Sequence, residues 1–134
     1  MLHRDNLWLL QLRDDVEGII APGCWGLFGG HLDAHETPEQ GLRRELREEI
    51  TLEAADLKPL LTWRHDHRLL HVFIGPLWVP IEHLQLREGQ DLTLAGLEQI
   101  RQGVVKSQRL QQVRPLAGCL QHVVEQWNSG AITL

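Results

Sequence analysis

Residues 30–52 read GHLDAHETPEQGLRRELREEITL, and this stretch combines a helix start, an apolar stripe and a crowded set of carboxylates. Thr37, with Pro38 after it and Gln40 three positions on, predicts a helix N-terminus with Thr37 as N-cap and Gln40 completing a capping box. An apolar stripe at i,i+4 spacing extends the predicted helix to about residue 50. Its members are Leu42, Leu46 and Ile50. The stretch therefore predicts one amphipathic helix that packs through a single face.

Beside that stripe, the helix carries three glutamates, Glu45, Glu48 and Glu49. Their i,i+3 and i,i+4 spacings place them on one face, where like charges destabilise a helix. Clustered carboxylates on a rigid helix are the hard oxygen ligands that Mg²⁺ or Mn²⁺ prefers. The alternative is a solvated face that neighbouring arginines neutralise. The crowding favours a divalent-cation site, in which Arg44 could hold one of the acids in place.

Composition limits the class of protein. A chain of 134 residues with 43% hydrophobic and 23% charged residues is typical of a globular protein, most simply one domain over 1–134. The formal net charge of -5 argues against a protein that binds duplex nucleic acid through a basic face. No apolar run reaches the length of a membrane span, and no signal-peptide layout is present. Cys24 and Cys119 show no CxxC pattern, which favours reduced thiols and the cytoplasm.

Strands and helices interleave along the chain without regular βαβ alternation, which favours an α+β, or mixed α/β, fold. The predicted strands are residues 7–13, 57–65 and 68–79. The last two are expected to pair antiparallel around a turn near Asp66. Residues 88–100 predict a turn, a short strand and a short helix. Residues 114–127 predict an amphipathic helix that ends near Gly130.

Residues 30–52 resemble the Nudix box, G-x5-E-x7-R-E-U-x-E-E-x-G-U, where U is a bulky aliphatic residue. The matching positions are Gly30, Glu36, Arg44, Glu45, Leu46, Glu48, Glu49 and Leu52. A match of this length is far more specific than a short motif. The segments WGLFGG before the box and EGQDLTL after it also look like Nudix surroundings. The resemblance implies an α/β/α sandwich that hydrolyses a nucleoside diphosphate linked to another moiety, with Mg²⁺ or Mn²⁺.

The resemblance also implies roles for residues of the box helix. Glu48 and Glu49 resemble the main metal ligands, which the carbonyl of Gly29 often joins. Glu45 resembles a residue that binds metal or activates water, and Arg44 resembles its orienting partner. Glu45, Glu49 and Arg44 are thus the expected catalytic residues.

Other expected site residues lie outside that helix. Glu88, in the segment EGQ, resembles an extra carboxylate that a later loop brings to the metal in some family members. The general base stays open among Glu45, Glu49 and Glu88, because spacing does not fix the position of the water. Arg13 is a candidate phosphate contact. The structural positions of the box are Gly30, Glu36, Leu46 and Leu52.

Aromatic residues near the box are candidates for contact with a base. Trp25 and Phe28 could stack on one and are taken as substrate-binding residues. Core packing is the alternative for each, since five tryptophans must be accommodated in a small domain.

Two departures from the family pattern are expected to affect the fold. Thr51 stands where the family has glycine, at a helix end that often needs a left-handed residue. Family members also usually have a strand before the segment that corresponds to HRDNLWLLQL, and the sequence suggests no room for it here. The neighbouring strand would then expose an edge. We expect either a homodimer or another segment of this chain to cover that edge.

The substrate is inferred by elimination. The chain has no tyrosine, a downstream marker of the dinucleoside-polyphosphate group, and it lacks the NADH-group motif and the usual ADP-ribose-group proline. The expected partner is a small nucleotide, with neither nucleic acid nor membrane. The favoured reaction converts a (deoxy)nucleoside triphosphate, oxidised nucleotides included, to the monophosphate and pyrophosphate. The alternatives are a nucleotide-sugar or ADP-ribose-type Nudix hydrolase and a catalytically silent Nudix-fold regulator.

Overall fold

The computed structural model describes residues 1–134 and has the mixed α+β fold that the sequence predicts. Its strands are β1 (Leu2–Arg4), β2 (Leu7–Leu12), β3 (Trp25–Gly26), β4 (Lys58–His65), β5 (Arg68–Pro76), β6 (Asp91–Gly96), β7 (Val104–Ser107) and β8 (Gln112–Pro115). Its helices are α1 (Pro38–Ile50), α2 (Leu97–Arg101) and α3 (Gly118–Asn128), with one 3₁₀ turn at Ile81–His83. None of these helices combines the length and apolar character that a bilayer crossing requires.

The main sheet is organised around β2. This strand pairs antiparallel with β6 along its whole length, from Leu7 opposite Gly96 to Leu12 opposite Asp91. It also pairs antiparallel with β1 and β3. β1 runs parallel to β5, and β5 pairs antiparallel with β4 around a turn in which Asp66 has a φ of 53°. The sheet is therefore mixed, and the predicted antiparallel pair around Asp66 is confirmed.

Both faces of β2 are buried, because successive side chains of a strand point to opposite sides. Leu10 belongs to a hydrophobic cluster that includes Leu120 of α3. Leu9 belongs to a second cluster that includes Leu46 and Ile50 of α1. Helices thus cover the sheet on both sides, which is the α/β/α arrangement expected from the sequence.

Helix α1 has the bounds that the sequence predicts. The Gln40 N–H donates to Thr37 Oγ1 at 3.2 Å, and the Thr37 N–H donates to Gln40 Oε1 at 3.0 Å, so the capping box is complete. Pro38 occupies the first turn. Leu46 is 1% exposed and Leu52 just beyond the helix is 2% exposed. The apolar box positions therefore fix α1 on the sheet, with its acidic positions at the border of the contact.

The N-terminal segment covers the side of β2 that the sequence left open. Residues Leu2–Arg4 form a strand of three residues between β2 and β5. β6 covers the other side of β2. Of the two expected ways to cover this edge, the structure has the one that uses segments of the same chain, so the edge gives no reason for a dimer. The oligomeric state stays a prediction that light scattering can test.

The C-terminal part differs from the sequence prediction. β7 and β8 form an antiparallel hairpin that was not predicted, and α3 begins at Gly118, a few residues later than expected. The hairpin turn places Gln111 at a φ of 54°, a left-handed conformation that a glutamine does not signal. The Ser107 hydroxyl donates to Asp91 Oδ2 at 2.7 Å and ties the hairpin to β6. The pairing of β7 with β8 thus holds this segment extended, and the Ser107 bond adds a long-range contact to it.

Thr51 keeps the left-handed conformation that glycine usually supplies, with φ 58° and ψ 30°. Its N–H donates to the Arg47 carbonyl at 3.1 Å, and the Leu52 N–H donates to the Leu46 carbonyl at 3.2 Å. Its hydroxyl donates to the Ile50 carbonyl at 2.6 Å. The helix therefore ends as the family pattern requires, and a β-branched residue bears the strain.

We expect Thr51→Gly to stabilise the protein by about 1 kcal/mol, because relief of left-handed strain outweighs the greater unfolded-state entropy of glycine. Urea unfolding at fixed pH measures the change. Thr51→Ala, which keeps a Cβ, is the matched control, and its free energy of unfolding should increase by less. A less stable Thr51→Gly would show that the hydroxyl bond to the Ile50 carbonyl outweighs the strain.

Candidate metal centre

Three carboxylates from two segments of the chain converge beside α1. Glu45 and Glu49 lie one helical turn apart on α1, and Glu88 comes from the loop before β6. One oxygen from each lies within 4.8 Å of the other two. Glu49 is buried, Glu45 is partly buried and Glu88 is exposed, so the cluster opens to solvent on one side. We call these three residues the carboxylate cluster.

Glu49 is the buried member of the cluster, with 3% of its surface exposed. Burial, followed by the hydrogen bond and charge of Glu88 and the charge of Glu45, raises the pKa of Glu49 to about 9. The Gly29 N–H donates to Glu49 Oε2 at 3.1 Å and opposes this shift. Near neutral pH the metal-free protein therefore keeps a proton on Glu49, between two acids.

Arg44 lies beside the cluster and donates to several oxygens. Its Nε and Nη2 donate to the two Glu36 oxygens at 2.8 Å and 3.0 Å, a two-point contact. Its Nη1 donates to Glu45 Oε1 at 3.0 Å, and its Nη2 also donates to the His31 carbonyl at 3.1 Å. The hydrogen bonds with Glu36, more than those with Glu45, raise the pKa of Arg44. Arg44 thus fixes Glu45 relative to the loop before α1.

Glu36 anchors that loop and lies outside the carboxylate cluster. Besides Arg44, its Oε1 accepts the Asp33 N–H at 2.7 Å. The hydrogen bonds from Arg44, and then that from Asp33, hold the pKa of Glu36 below its usual value. The Asp33 carboxylate also lies 3.1 Å from Arg44 Nε, a contact that the box pattern does not specify. These contacts fit a structural role for Glu36.

The glycine pair before the box lies against the cluster. A Cβ on Gly30 would lie 2.6 Å from Glu45 Oε1 and 2.7 Å from its carboxyl carbon, closer than real Cβ atoms approach other atoms. Gly29 has a φ of 150° and faces Glu49 through its N–H. The Glu45 carboxylate thus occupies the space that a side chain at position 30 would need, and Gly29 supplies a positive φ. The Gly29 carbonyl as a metal ligand stays a prediction.

Glu48 is the box acid that lies outside the cluster. Its carboxylate accepts a hydrogen bond from Arg44 Nη1 at 3.2 Å, and 59% of its side chain is exposed. To act as a main metal ligand, as the resemblance implies, it would have to turn away from Arg44. That role stays a prediction.

The three residues expected to contact substrate have different surroundings. Trp25 is fully buried and its indole N–H donates to the Val105 carbonyl at 2.8 Å, so it belongs to the core and has no face free for a base. Phe28 is 9% exposed and packs in the cluster beneath α1. Arg13 Nε donates to the Ile20 carbonyl at 2.6 Å, while its two terminal nitrogens have no protein partner. Only Arg13 therefore retains free donors for a phosphate.

Two residues of this region were not predicted from the sequence. Asp33 joins the contacts of Arg44. Gln11 Nε2 donates to the Glu88 carbonyl at 3.0 Å and supports the loop that carries the third acid. A single polar residue inside the apolar strand LWLLQL is the signal that could have identified Gln11.

The donor set of the cluster fits a hard divalent ion. All three side chains offer carboxylate oxygens, and no cysteine or histidine is among them. Mg²⁺ and Mn²⁺ favour such ligands and usually keep open positions for water and substrate phosphates. The exposed side of the cluster leaves room for those additional ligands.

The family of the protein follows from this box, fold and cluster together. The chain belongs to the Nudix family, because the family model for the NUDIX domain matches residues 2–111. Among curated relatives, the nucleoside triphosphatase NudI of Salmonella typhimurium is 38% identical over 71 residues, which are 52% of this chain and 49% of that protein. The chain spans about half the length of the curated relatives that it matches.

Solved structures agree on the fold. A MutT NUDIX hydrolase from Burkholderia pseudomallei matches with a TM-score of 0.72 and 22% identity, over 93% of this chain and 91% of that one. The NUDIX domain of Shewanella oneidensis NrtR, solved with ADP ribose, matches with a TM-score of 0.66 and 21% identity, over 93% of this chain and 77% of that one. At such identities the likeness concerns the fold alone.

Without divalent metal, the free energy of unfolding is expected to fall as the pH rises from about 4.5 to about 9, because Glu49 keeps its proton in the folded protein but loses it in the unfolded chain. The stabilisation is complete below the unfolded pKa and is lost as the pH passes the folded pKa. The slope is at most about 1.4 kcal/mol per pH unit. Urea unfolding in EDTA measures it, and Glu49→Gln should show a shallower fall. Parallel curves for the two proteins would contradict this.

We expect Gly30→Ala to weaken Mn²⁺ binding about tenfold, because the new Cβ displaces the Glu45 carboxylate from the cluster. Isothermal titration of the free protein with Mn²⁺ measures the Kd. Gly118→Ala is the matched control, since its Cβ would meet nothing closer than Trp63 at 3.6 Å. An unchanged Kd for Gly30→Ala would remove Glu45 from the ligand set.

Proposed function

We propose that the protein is a metal-dependent Nudix pyrophosphohydrolase that cleaves a nucleoside triphosphate to the monophosphate and pyrophosphate. The observation that carries the proposal is the convergence of Glu45, Glu49 and Glu88 oxygens within 4.8 Å, on and beside a Nudix box helix. Three carboxylates in one place are costly unless a cation neutralises them. The arrangement is therefore best explained as the binding site of one or more divalent ions.

The carboxylate cluster would hold the ion, and the neighbouring residues would orient the cluster. A bound Mg²⁺ or Mn²⁺ supplies Lewis acidity toward a phosphoryl oxygen and activates a water molecule. Arg44 keeps Glu45 in one orientation through its Nη1 contact of 3.0 Å. Because metal ligands must be deprotonated, Glu49 would have to lose its proton to hold the ion, so the affinity should rise with pH. Once ionised, Glu49 or a neighbouring acid can accept a proton from the attacking water.

The choice of substrate rests on charge and on the relatives. The net charge of -5 would repel a polyphosphate from most of the surface, so metal ions and local arginines must attract it. The free terminal nitrogens of Arg13 suit that task. NudI, the relative with 38% identity over half of this chain, is a nucleoside triphosphatase, which supports a triphosphate substrate. The NrtR domain solved with ADP ribose keeps an ADP-ribose-type ligand as the second candidate.

The test is turnover of a nucleotide panel with Mg²⁺ or Mn²⁺, with wild type and Glu49→Gln compared side by side. We expect wild type to release pyrophosphate from at least one triphosphate, and Glu49→Gln to lose about 10²-fold or more in kcat/KM, because a metal ligand is removed. Glu53→Gln is the matched control: Glu53 lies beyond α1, its side chain is 71% exposed, and its carboxylate forms an ion pair only with Arg47, at 3.6 Å.

Two negative results of this assay would have different meanings. Turnover that Glu49→Gln leaves intact would sink the assignment of the site. Absence of turnover on every triphosphate, with tight binding of ADP ribose, would favour the nucleotide-binding regulator instead.

A further inference from the structure

Gln11 is a polar residue in the most buried part of the sheet. It is 3% exposed, and its neighbours Leu10 and Leu12 are fully buried. By the alternation of a strand, Gln11 points to the same face as Leu9, the face that α1 covers. A buried amide must find hydrogen-bond partners, because an unpaired one costs about 1–3 kcal/mol. The hydrogen-bond partner of the Gln11 side chain therefore indicates what this residue does.

That partner is the loop that carries Glu88. Gln11 Nε2 donates to the Glu88 carbonyl at 3.0 Å. This is the one hydrogen bond that the main chain of Glu88 makes with the protein. The contact therefore fixes the peptide from which the third carboxylate projects.

The turn after Glu88 is also fitted closely against β2. The Gln90 N–H donates to the Leu12 carbonyl at 2.8 Å, and Gln90 Nε2 donates to the Arg13 carbonyl at 2.9 Å. Gly89 has a φ of 100°, and a Cβ there would lie 2.8 Å from the Leu12 oxygen. The turn thus lies against the strand without space for a side chain, and Gly89 also needs its positive φ.

The chain before Glu88 is attached to the box helix. The Arg87 N–H donates to the Glu49 carbonyl at 2.8 Å, and the Gln85 N–H donates to the Ile50 carbonyl at 3.3 Å. Glu88 is therefore the exposed residue between two attachments, one to α1 and one to β2. These two attachments hold the loop in the position from which the Glu88 carboxylate reaches Glu45 and Glu49.

We propose that Gln11 is a positioning residue that holds Glu88 at the carboxylate cluster and thereby completes the divalent-metal site. This inference rests on the proposed function, since it assumes that the cluster binds metal. Gln11 acts through the Glu88 peptide and touches neither metal nor substrate. Gly89 is needed for the same purpose, because the turn that follows Glu88 lies against β2 without space for a side chain.

A double-mutant cycle in the full-length protein tests this role. The variants are Gln11→Met, which keeps the length of the side chain but removes the donor, Glu88→Gln, and the two combined. Mn²⁺ affinity is measured without substrate, from the electron paramagnetic resonance signal of free Mn²⁺. We expect Gln11→Met to weaken binding about tenfold in the wild-type background and to have little effect when Glu88 is already replaced. Gln102→Met, an exposed position without side-chain hydrogen bonds, is the matched control and should bind as wild type does.

Two further measurements separate this role from general loss of stability. Amide hydrogen exchange in EDTA should become faster at Arg87 and Gln90 in Gln11→Met, while the amides between β4 and β5 keep their protection. Gly89→Ala, whose Cβ would press on the Leu12 carbonyl and on the Gln11 side chain, disturbs the same turn and should also weaken Mn²⁺ binding.

The outcomes that overturn the proposal are specific. Equal weakening by Gln11→Met in both backgrounds would mean that Gln11 acts through the fold and not through Glu88. Unchanged exchange at Arg87 and Gln90 would mean that Gln11 does not hold the loop. A wild-type protein that binds no Mn²⁺ at all would instead overturn the proposed function, and this role with it.

Discussion

Burial of β2 on both faces is the constraint on which the rest of the structure depends. The strand pairs with β1, β3 and β6, and its side chains divide between a cluster beneath α3 and a cluster beneath α1. With almost all of its surface in contact, β2 has no freedom to shift register, because a slip of one residue would exchange its two faces. The box helix, the glycine pair and the loop of Glu88 are all placed relative to this strand. The site is thus placed by a strand that is buried at five of its six positions.

The acidic residues of this region form two neighbouring groups, and only the first of them contains a basic side chain. Around Arg44, one guanidinium is shared by Asp33, Glu36, Glu45 and Glu48, so each of these acids has a cationic partner although the acids outnumber it. Around Glu49, a buried acid faces two others and stays protonated. The acids of the first group have a cationic partner within the protein, whereas under the proposed function those of the second require a divalent cation. This arrangement is typical of functional sites. The repulsion between acids is limited to a few side chains, and the rest of the folded protein holds them in place.

Local sequence signals predicted the elements whose structure is decided locally. The capping residues Thr37 and Gln40 defined α1, the turn at Asp66 defined the β4–β5 pair, and spacing brought Glu45 and Glu49 to one face. Contacts between residues distant in the sequence could not be predicted from such local signals. The three-residue β1 has too little pattern to recognise alone, and the β7–β8 hairpin turns at Gln111 without a turn residue and is tied to β6 by the Ser107 bond to Asp91. Trp25 shows the same limit, because nothing local tells a buried indole bonded to Val105 from an exposed one beside a site.

The long pairing of β2 with β6 also sets the order in which the parts of the site can assemble during folding. Helix α1 and the β4–β5 hairpin are made of contacts between near neighbours, which form quickly. The pairing of Leu7 with Gly96 joins positions 89 residues apart in the sequence, so the entropy cost of closing that loop opposes its formation. Glu88 lies in the loop just before β6, and the turn that follows it is bonded to β2, so its final position depends on that pairing as well as on the contacts with α1. The third carboxylate therefore arrives late, and a chain that has not finished folding carries the box without the complete set of acids.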